Sequence, residues 1–368
     1  MKAALISLGS ESSKWIAKAM KKYFEDVDEI NLKNIEIDLS HKELEILYKG
    51  DPLGEYDCVY ERGSFKYEPV LKSIAVALSE TTYIPIQPAA FYLGHDKLLT
   101  QLELQKHNIP MPKTYLTPTL GSTKAILEKI NYPIIMKFPA GTGGKGVMYA
   151  ESLPAASSIL DALTALKQPF IIQEYIETEG VDTRAIVAGD TVVAAMKRKA
   201  VKGEKRSNIH AGGVGEACVL DRYTKKIAIE TAKIIGAEIC AVDILEGAKG
   251  PMVIEINLSP GLQGITKATK IDVADKMAKY LYKRTKEITE KGKKKVASEI
   301  LEDLDILKPG KLKEIITTLD FRGNRILLPE LVTNVSKFDE KKEVIINIDK
   351  GNLSVRESEI GREKEKKK

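Results

Sequence analysis

The most regular alternation of apolar and polar positions lies between residues 240 and 257. Cys240-Ala241-Val242-Asp243-Ile244-Leu245 is an apolar run carrying one carboxylate, and Val253-Ile254-Glu255-Ile256-Asn257 carries a carboxylate and an amide two positions apart. Strand side chains alternate, so Glu255 and Asn257 leave one face together. The Glu246-Gly247-Ala248-Lys249-Gly250 turn joins the two runs, and if they pair antiparallel Asp243 converges on the other two.

From the N-terminus, Lys2-Ala-Ala-Leu-Ile-Ser-Leu8 predicts a strand, and Ser13 to Phe24 a helix with Trp15, Ile16, Ala19 and Met20 on one face. Strands over Tyr56–Tyr60 and Tyr83–Ile86 flank a helix over Glu68–Leu78, a β-α-β rhythm that predicts a small parallel α/β domain over residues 1–90. A helix from Asp96 to Asn108 carries Lys97 near its start. A strand over Thr114–Leu116, a helix over Thr123–Lys129 and a strand ending in Lys137 follow, before the loop Ala140-Gly-Thr-Gly-Gly-Lys-Gly146. Pro169 to Ile176 predicts a strand. Ala188-Gly189-Asp190 predicts a hairpin turn between strands over Ala185–Val187 and Thr191–Met196. Helices are expected over Asp221–Ile235 and Ile271–Tyr282. Beyond these, Lys283–Lys295 is a linker or solvated helix, Leu312–Leu319 a helix, and Arg325–Leu328 and Glu343–Ile348 strands, with a turn at Gly351-Asn352.

The loop Gly141, Gly143 and Gly146 fits G-x-G-x-x-G, yet β-type Val147-Met-Tyr149 follows it where a dinucleotide fingerprint opens a helix. Strand–loop–strand is therefore expected, either a phosphate cover offering backbone N–H groups or an ordinary glycine-rich turn. Asp243, Glu255 and Asn257 supply hard oxygen donors without Cys or His, which suits Mg²⁺ or Mn²⁺ against phosphates and not zinc. The plain alternative is a pair of surface carboxylates on a half-exposed hairpin. Lys197-Arg198-Lys199 and Lys205-Arg206, taken alone, are expected to be solvated surface, and His210 structural.

With 368 residues the chain has room for two or three lobes, and 43% hydrophobic content gives each a core. The net charge of +5 equals the excess within Leu281–Ala297, seven basic residues against two Glu, so the remainder is near neutral and a nucleic-acid partner has little behind it. Cys58, Cys218 and Cys240 lack metal-ligand or C-x-x-C spacing, which predicts a reducing cytoplasm. No apolar run approaches the ~20 residues of a membrane span.

In order, these signals resemble the ATP-grasp fold, and most closely its RimK-like branch of ribosomal-protein and cofactor glutamate ligases. The most specific runs are Gln173-Glu-Tyr-Ile176, Arg206-Ser-Asn-Ile-His210 and Glu255-Ile-Asn-Leu-Ser-Pro-Gly-Leu-Gln-Gly264. The resemblance implies an α/β chain, α+β in its catalytic part. An ATP-grasp domain over 91–285 follows the N-terminal domain, then a basic linker over 286–298, a small module over 299–357 and a disordered charged tail over 358–368. It implies that Lys97 and Lys137 contact the nucleotide phosphates beneath Gly141, Gly143, Gly144 and Gly146. Glu174 and Tyr175 hold the adenine edge, Asp182 the ribose, and Arg206, Ser207 and Asn208 lie beside the triphosphate. Asp243, Glu255 and Asn257 hold two Mg²⁺ or Mn²⁺ ions, while Arg198 and Arg206 grip substrate carboxylates.

The implied reaction is an ATP-dependent carboxylate–amine ligation through an acyl phosphate, releasing ADP and phosphate. Lys137 and Arg206 neutralise charge, and L-glutamate is added to a protein C-terminus or a small cofactor. The alternatives are an aminoadipate or glutamate ligase acting on a carrier protein of amino-acid biosynthesis, and a silent nucleotide-binding regulator. The family further implies a homodimer or homotetramer.

Overall fold

The continuous apolar run Ala3–Ile6 makes β1 (Lys2–Ser7) a strand buried on both faces, as the centre of a parallel sheet requires. α1 (Glu11–Met20) follows, its first turn capped by Ser10 Oγ, which accepts from the Ser13 N–H. Ile16, Ala19 and Met20 are buried as their spacing predicts. Trp15 is half-buried, its indole N–H donating to Glu11 Oε1 at 2.8 Å. β2 (Asp26–Asn31) pairs parallel with β1. β3 (Ile35–Asp38), β4 (Glu45–Tyr48) and β5 (Asp51–Pro52) form a separate antiparallel sheet. β6 (Cys58–Glu61) returns to give the order β2-β1-β6, and α2 (Glu68–Leu78) follows it, in contact with β3 and β4. The expected parallel pairing is therefore present around β1, with the β3–β5 sheet as an unforeseen insertion. Tyr83–Ile86 is not a full strand: it makes one bridge to Cys58 and another, through Ile86, to Ala237. The structure, a computed structural model, describes residues 1–40, 44–139, 146–200, 214–303, 320–323, 325–327, 343–350 and 352–357.

α3 (Pro88–His95) leads into α4 (Lys97–Lys106), whose cap Asp96 accepts from the N–H groups of Leu98 and Leu99. β7 (Thr114–Tyr115), α5 (Leu120–Leu127), β8 (Ile134–Lys137), β9 (Val147–Ala150), α6 (Leu153–Ala165) and β10 (Ile171–Glu174) build a second lobe. Its antiparallel sheet runs β7-β10-β8-β9. Leu127, Ile134, Met136, Leu160, Leu163 and Ile172 form a core of its own. β8 and β9 pair antiparallel from Lys137 opposite Val147, so the glycine segment joins two strands and opens no helix.

β11 (Val181–Ala188), β12 (Thr191–Lys199), β13 (Val214–Ala217), α7 (Arg222–Ile235), β14 (Ile239–Gly247) and β15 (Gly250–Asn257) complete the third part. The five strands form one antiparallel sheet in the order β13-β12-β11-β14-β15. α7 starts on an Asp221 cap and stops at Gly236, whose positive φ of 80° closes the last turn. α8 (Gln263–Thr269) and α9 (Val273–Asp303) follow. α9 extends well past Tyr282, so the segment read as linker or solvated helix is helical as far as Asp303.

The chain divides into two compact units, Met1–Val296 and Ala297–Lys368. In the second, β16 (Asp320–Arg322) pairs with β17 (Arg325–Leu327), and β18 (Val344–Asp349) with β19 (Asn352–Glu357). The expected helix at 312–319 and the tail at 358–368 lie outside the described residues.

The β11–β12 hairpin turns on Gly189 at φ +60°, with its α-carbon against the Tyr280 ring, so an added methyl would overlap that ring. Gly189→Ala is expected to cost about 1–3 kcal/mol in urea unfolding, from backbone strain and overpacking together.

Candidate functional site

One face of the five-stranded sheet carries a row of charge that crosses four strands. Arg198 of β12 lies opposite Asp182 of β11, Arg184 of β11 opposite Asp243 of β14, and Asp243 opposite Glu255 of β15. Asp182 and Arg184 are two apart, as are Glu255 and Asn257, so alternation brings all six to the same face. The hairpin phasing anticipated from sequence is thus observed, with a bulge just after Asp243.

The inner part of this row is knitted together. Arg184 grips Asp243 with Nε on Oδ1 at 2.8 Å and Nη2 on Oδ2 at 2.7 Å. Arg198 takes both Asp182 oxygens at 2.6 Å and reaches Asp243 Oδ2 at 2.8 Å. Asp182, Arg198 and Asp243 are all buried. Burial pushes the Asp243 carboxyl up, but the charges and hydrogen bonds of Arg184 and Arg198 outweigh it and hold the group below the usual carboxylate range. At the outer end Glu255 and Asn257 are half-buried, and Asn257 Oδ1 accepts from the Ser259 N–H at 2.9 Å.

This donor set fits a hard divalent cation. Two carboxylates face each other across adjacent strands; Asp243 Oδ2 already accepts from both arginines, so it is the second lone pair of Asp243 Oδ1, together with Glu255, that a cation would meet. Among the described residues no three His, Cys, Asp or Glu side chains cluster, so a third protein donor beside Asp243 and Glu255 would be the Asn257 amide. Neither zinc nor a soft metal suits such a set.

Opposing charge comes from the second lobe. Lys137, at the end of β8, is buried, and its Nζ donates to Gln173 Oε1 at 2.8 Å, while Gln173 Nε2 donates to Thr114 Oγ1 at 2.7 Å. Burial pulls the Lys137 pKa down and repulsion from Lys97 lowers it further. Attraction from Glu255 offsets part of this, leaving it at about 8. Lys97 and Glu255 therefore both lie within electrostatic reach of Lys137. The Lys97 backbone N–H donates to Pro139 O at 3.0 Å, which ties the start of α4 to the chain leaving β8.

Glu174 N–H donates to Lys113 O at 2.9 Å and its Oε1 accepts from Lys113 N–H at 3.1 Å, while the Tyr175 ring meets Tyr149 edge-on at 5.2 Å between centroids. Gly146 takes a φ of +76°, and its carbonyl accepts from Phe138 N–H at 3.2 Å. Gly141, Gly143, Gly144, Arg206, Ser207, Asn208 and His210 lie outside the described residues. The expectation that Lys197-Arg198-Lys199 is solvated surface holds for the two lysines, which are exposed, and is corrected for Arg198, which alternation turns inward. Its guanidinium, expected to grip a substrate carboxylate, is engaged by Asp182 and Asp243. Two contributors were missed. Arg184 stands two positions after Asp182, a spacing that already put both on one face, and Gln173 opens the Gln-Glu-Tyr-Ile run.

Arg198→Ala takes one guanidinium away from both Asp182 and Asp243. Unfolding should show a loss of about 3–5 kcal/mol, whereas exposed Lys199→Ala stays within about 0.5 kcal/mol. Lys137 sheds its proton near pH 8 in the folded chain, against 10.5 for an ordinary lysine. Its contribution to stability therefore rises with pH between those values, while its attraction for phosphate is full below about 8 and fades above it. ADP affinity by calorimetry should weaken about tenfold from pH 7 to 9.5, and Lys137→Met should flatten that dependence.

The RimK-like ATP-grasp domain family matches residues 94–281. A protein of Vibrio atlanticus named "Probable alpha-L-glutamate ligase" is 36% identical over 266 residues, 71% of this chain and 87% of that protein. Among solved structures, the RimK domain ATP-grasp protein of Sphaerobacter thermophilus superposes with a TM-score of 0.60 at 20% identity, covering 76% of this chain and 99% of that one. The ATP-grasp ligase PsnB, complexed with minimal precursor, Mg and ADP, gives 0.62 at 17% identity, over 77% and 98%. No helix among the described residues is long and apolar enough to cross a membrane. The chain belongs to the RimK-like ATP-grasp family and is an ATP-dependent carboxylate–amine ligase.

Proposed function

We propose that this protein adds L-glutamate, through its α-amine, to the carboxylate of a peptide or small-molecule acceptor by way of an acyl phosphate. The observation that carries the reading is the approach of the Asp243–Glu255 edge of one sheet to Lys137, on a strand of another sheet, and Lys97, on the first turn of α4. The name borne by relatives at about 35% identity supports glutamate as the amine.

A carboxylate cannot expel oxide, so it is first phosphorylated. A carboxylate oxygen of the acceptor attacks the γ-phosphorus of ATP and ADP departs. The glutamate amine then attacks the acyl carbon, inorganic phosphate leaves, and the amine proton passes to solvent. Such transfer rests on positioning and charge neutralisation, with no side-chain nucleophile. Asp243, Glu255 and Asn257 would hold the two Mg²⁺ or Mn²⁺ ions, whose chemistry is to draw charge from the phosphate oxygens. Lys137 and Lys97 hold the non-bridging oxygens, the glycine segment up to Gly146 covers them, and Glu174 with Tyr175 faces the adenine edge. Arg184 and Arg198 keep the Asp243 carboxylate ionised and oriented. Arg206, with Ser207 and Asn208, is assigned by the family resemblance to the reacting group, where it would stabilise the tetrahedral oxyanion.

ADP release is to be followed with Mg²⁺ and ATP against a panel of amino acids, with cell extract as the source of acceptor, and products weighed as intact masses. Glutamate-dependent release with added glutamyl units is the expected result. Nucleotide binding without amino-acid-dependent turnover would favour a regulatory protein. Glu255→Gln, half-buried and free of the arginine network, is expected to stay folded and lose at least about a hundredfold in kcat.

A further inference from the structure

The parallel sheet of the N-terminal domain ends in a buried arginine. Arg62, just past β6, is 4% exposed, and among the described residues no carboxylate pairs with it. Its neighbour Glu61 is fully buried, makes no hydrogen bond, and is kept toward its neutral form by burial. Arg62 instead holds neutral acceptors: Nε donates to Ser13 Oγ at 3.2 Å, Nη1 to the Tyr60 hydroxyl at 3.1 Å, and Nη2 to the Pro260 carbonyl at 2.8 Å. The next residue, Gly63, donates its N–H to Ser259 Oγ at 3.0 Å. From α1, Ser12 Oγ donates to Gln263 Oε1 at 2.8 Å and accepts from the Leu262 N–H at 2.9 Å.

Four hydrogen bonds therefore cross between the N-terminal domain and the segment Ser259–Gln263, which only Leu258 separates from Asn257. The same segment orients the amide, since the Ser259 N–H donates to Asn257 Oδ1. A buried guanidinium with only neutral partners is a costly way to join two domains, because apolar residues of similar volume often serve stability as well or better. What it provides is direction: three nitrogens on one rigid plane fix Pro260 relative to Ser13 and Tyr60.

We propose that Arg62 is a positioning residue for the metal edge. Together with Ser12 it clasps the turn after β15, so that the orientation of Asn257, and with it metal affinity, is set by the N-terminal domain from 198 positions away. The inference rests on Asp243, Glu255 and Asn257 being the metal donors. Its sign separates it from a charge effect. Removing a nearby positive charge strengthens cation binding, whereas releasing the clasp weakens it.

The test is Mn²⁺ titration of the full-length, ADP-loaded protein, with free Mn²⁺ read by its paramagnetic resonance signal. Arg62→Met is expected to weaken Mn²⁺ binding about tenfold, the range seen when groups orienting metal ligands are lost. Arg62→Lys, which keeps the charge and cannot span three acceptors, should weaken it as well, and Ser12→Ala should do so more mildly. ADP affinity without metal should not change in any of them. Tighter Mn²⁺ binding by Arg62→Met, or wild-type binding by folded Arg62→Met and Ser12→Ala, overturns the clasp. If Arg62→Met does not fold, Ser12→Ala decides alone. Glu255→Gln is run alongside: if it keeps Mn²⁺ binding, the metal edge itself is misplaced and the clasp proposal falls with it. If it loses binding while the clasp variants do not, only the clasp fails.

Discussion

The row of charge Arg198–Asp182, Arg184–Asp243 governs the rest of the site. Two carboxylates at the centre of a sheet can stay ionised only if positive groups are built in opposite them. β11 and β12 supply those groups from the middle of the sheet, which turns an otherwise unfavourable burial into a fixed, ionised edge. Glu255 and Asn257 extend the edge outward to where the sheet is half-exposed. The result is a gradient, compensated and rigid inside, uncompensated and open outside, which is the arrangement that leaves attraction available for a cation.

Lys137 shows the complementary strain on the facing lobe. It is buried beside a second lysine, and both effects disfavour its charged form. An anion held between the two lysines would relieve that repulsion, so part of its binding free energy would come from strain already built into the fold. Gln173 holds the Lys137 ammonium in place meanwhile and is itself held by Thr114. Rigid strands therefore position every described charged group of the site except Lys97, which sits on the first turn of a capped helix.

The N-terminal domain is joined to this site at the turn after β15. At that turn the connections run from the Arg62 guanidinium, the Gly63 N–H and the Ser12 hydroxyl to neutral groups and not through ion pairs. Such bonds depend on distance and angle, so they transmit geometry without altering the charge balance of the site.

Much of this was legible in the sequence, because period-two alternation and turn chemistry act locally. Asp243 opposite Glu255 followed from two short runs and a five-residue turn, and the glycine segment between strands followed from the β-type residues after Gly146. Glu68–Leu78 matched its helix residue for residue. The short strands β3, β4 and β5 were missed because none exceeds four residues: Ile35-Glu-Ile-Asp38 alternates, but over too short a run to stand out. By itself the sequence determined which residues share a strand face and which lie across a hairpin, since adjacent hydrogen bonds enforce both. Only the tertiary structure decided that Arg184 meets Asp243 from 59 positions away, that Lys137 lies near Lys97 and Glu255, and that Arg62 reaches Pro260. Those contacts depend on the order of strands in a sheet and on how lobes close on one another, and no local periodicity encodes either.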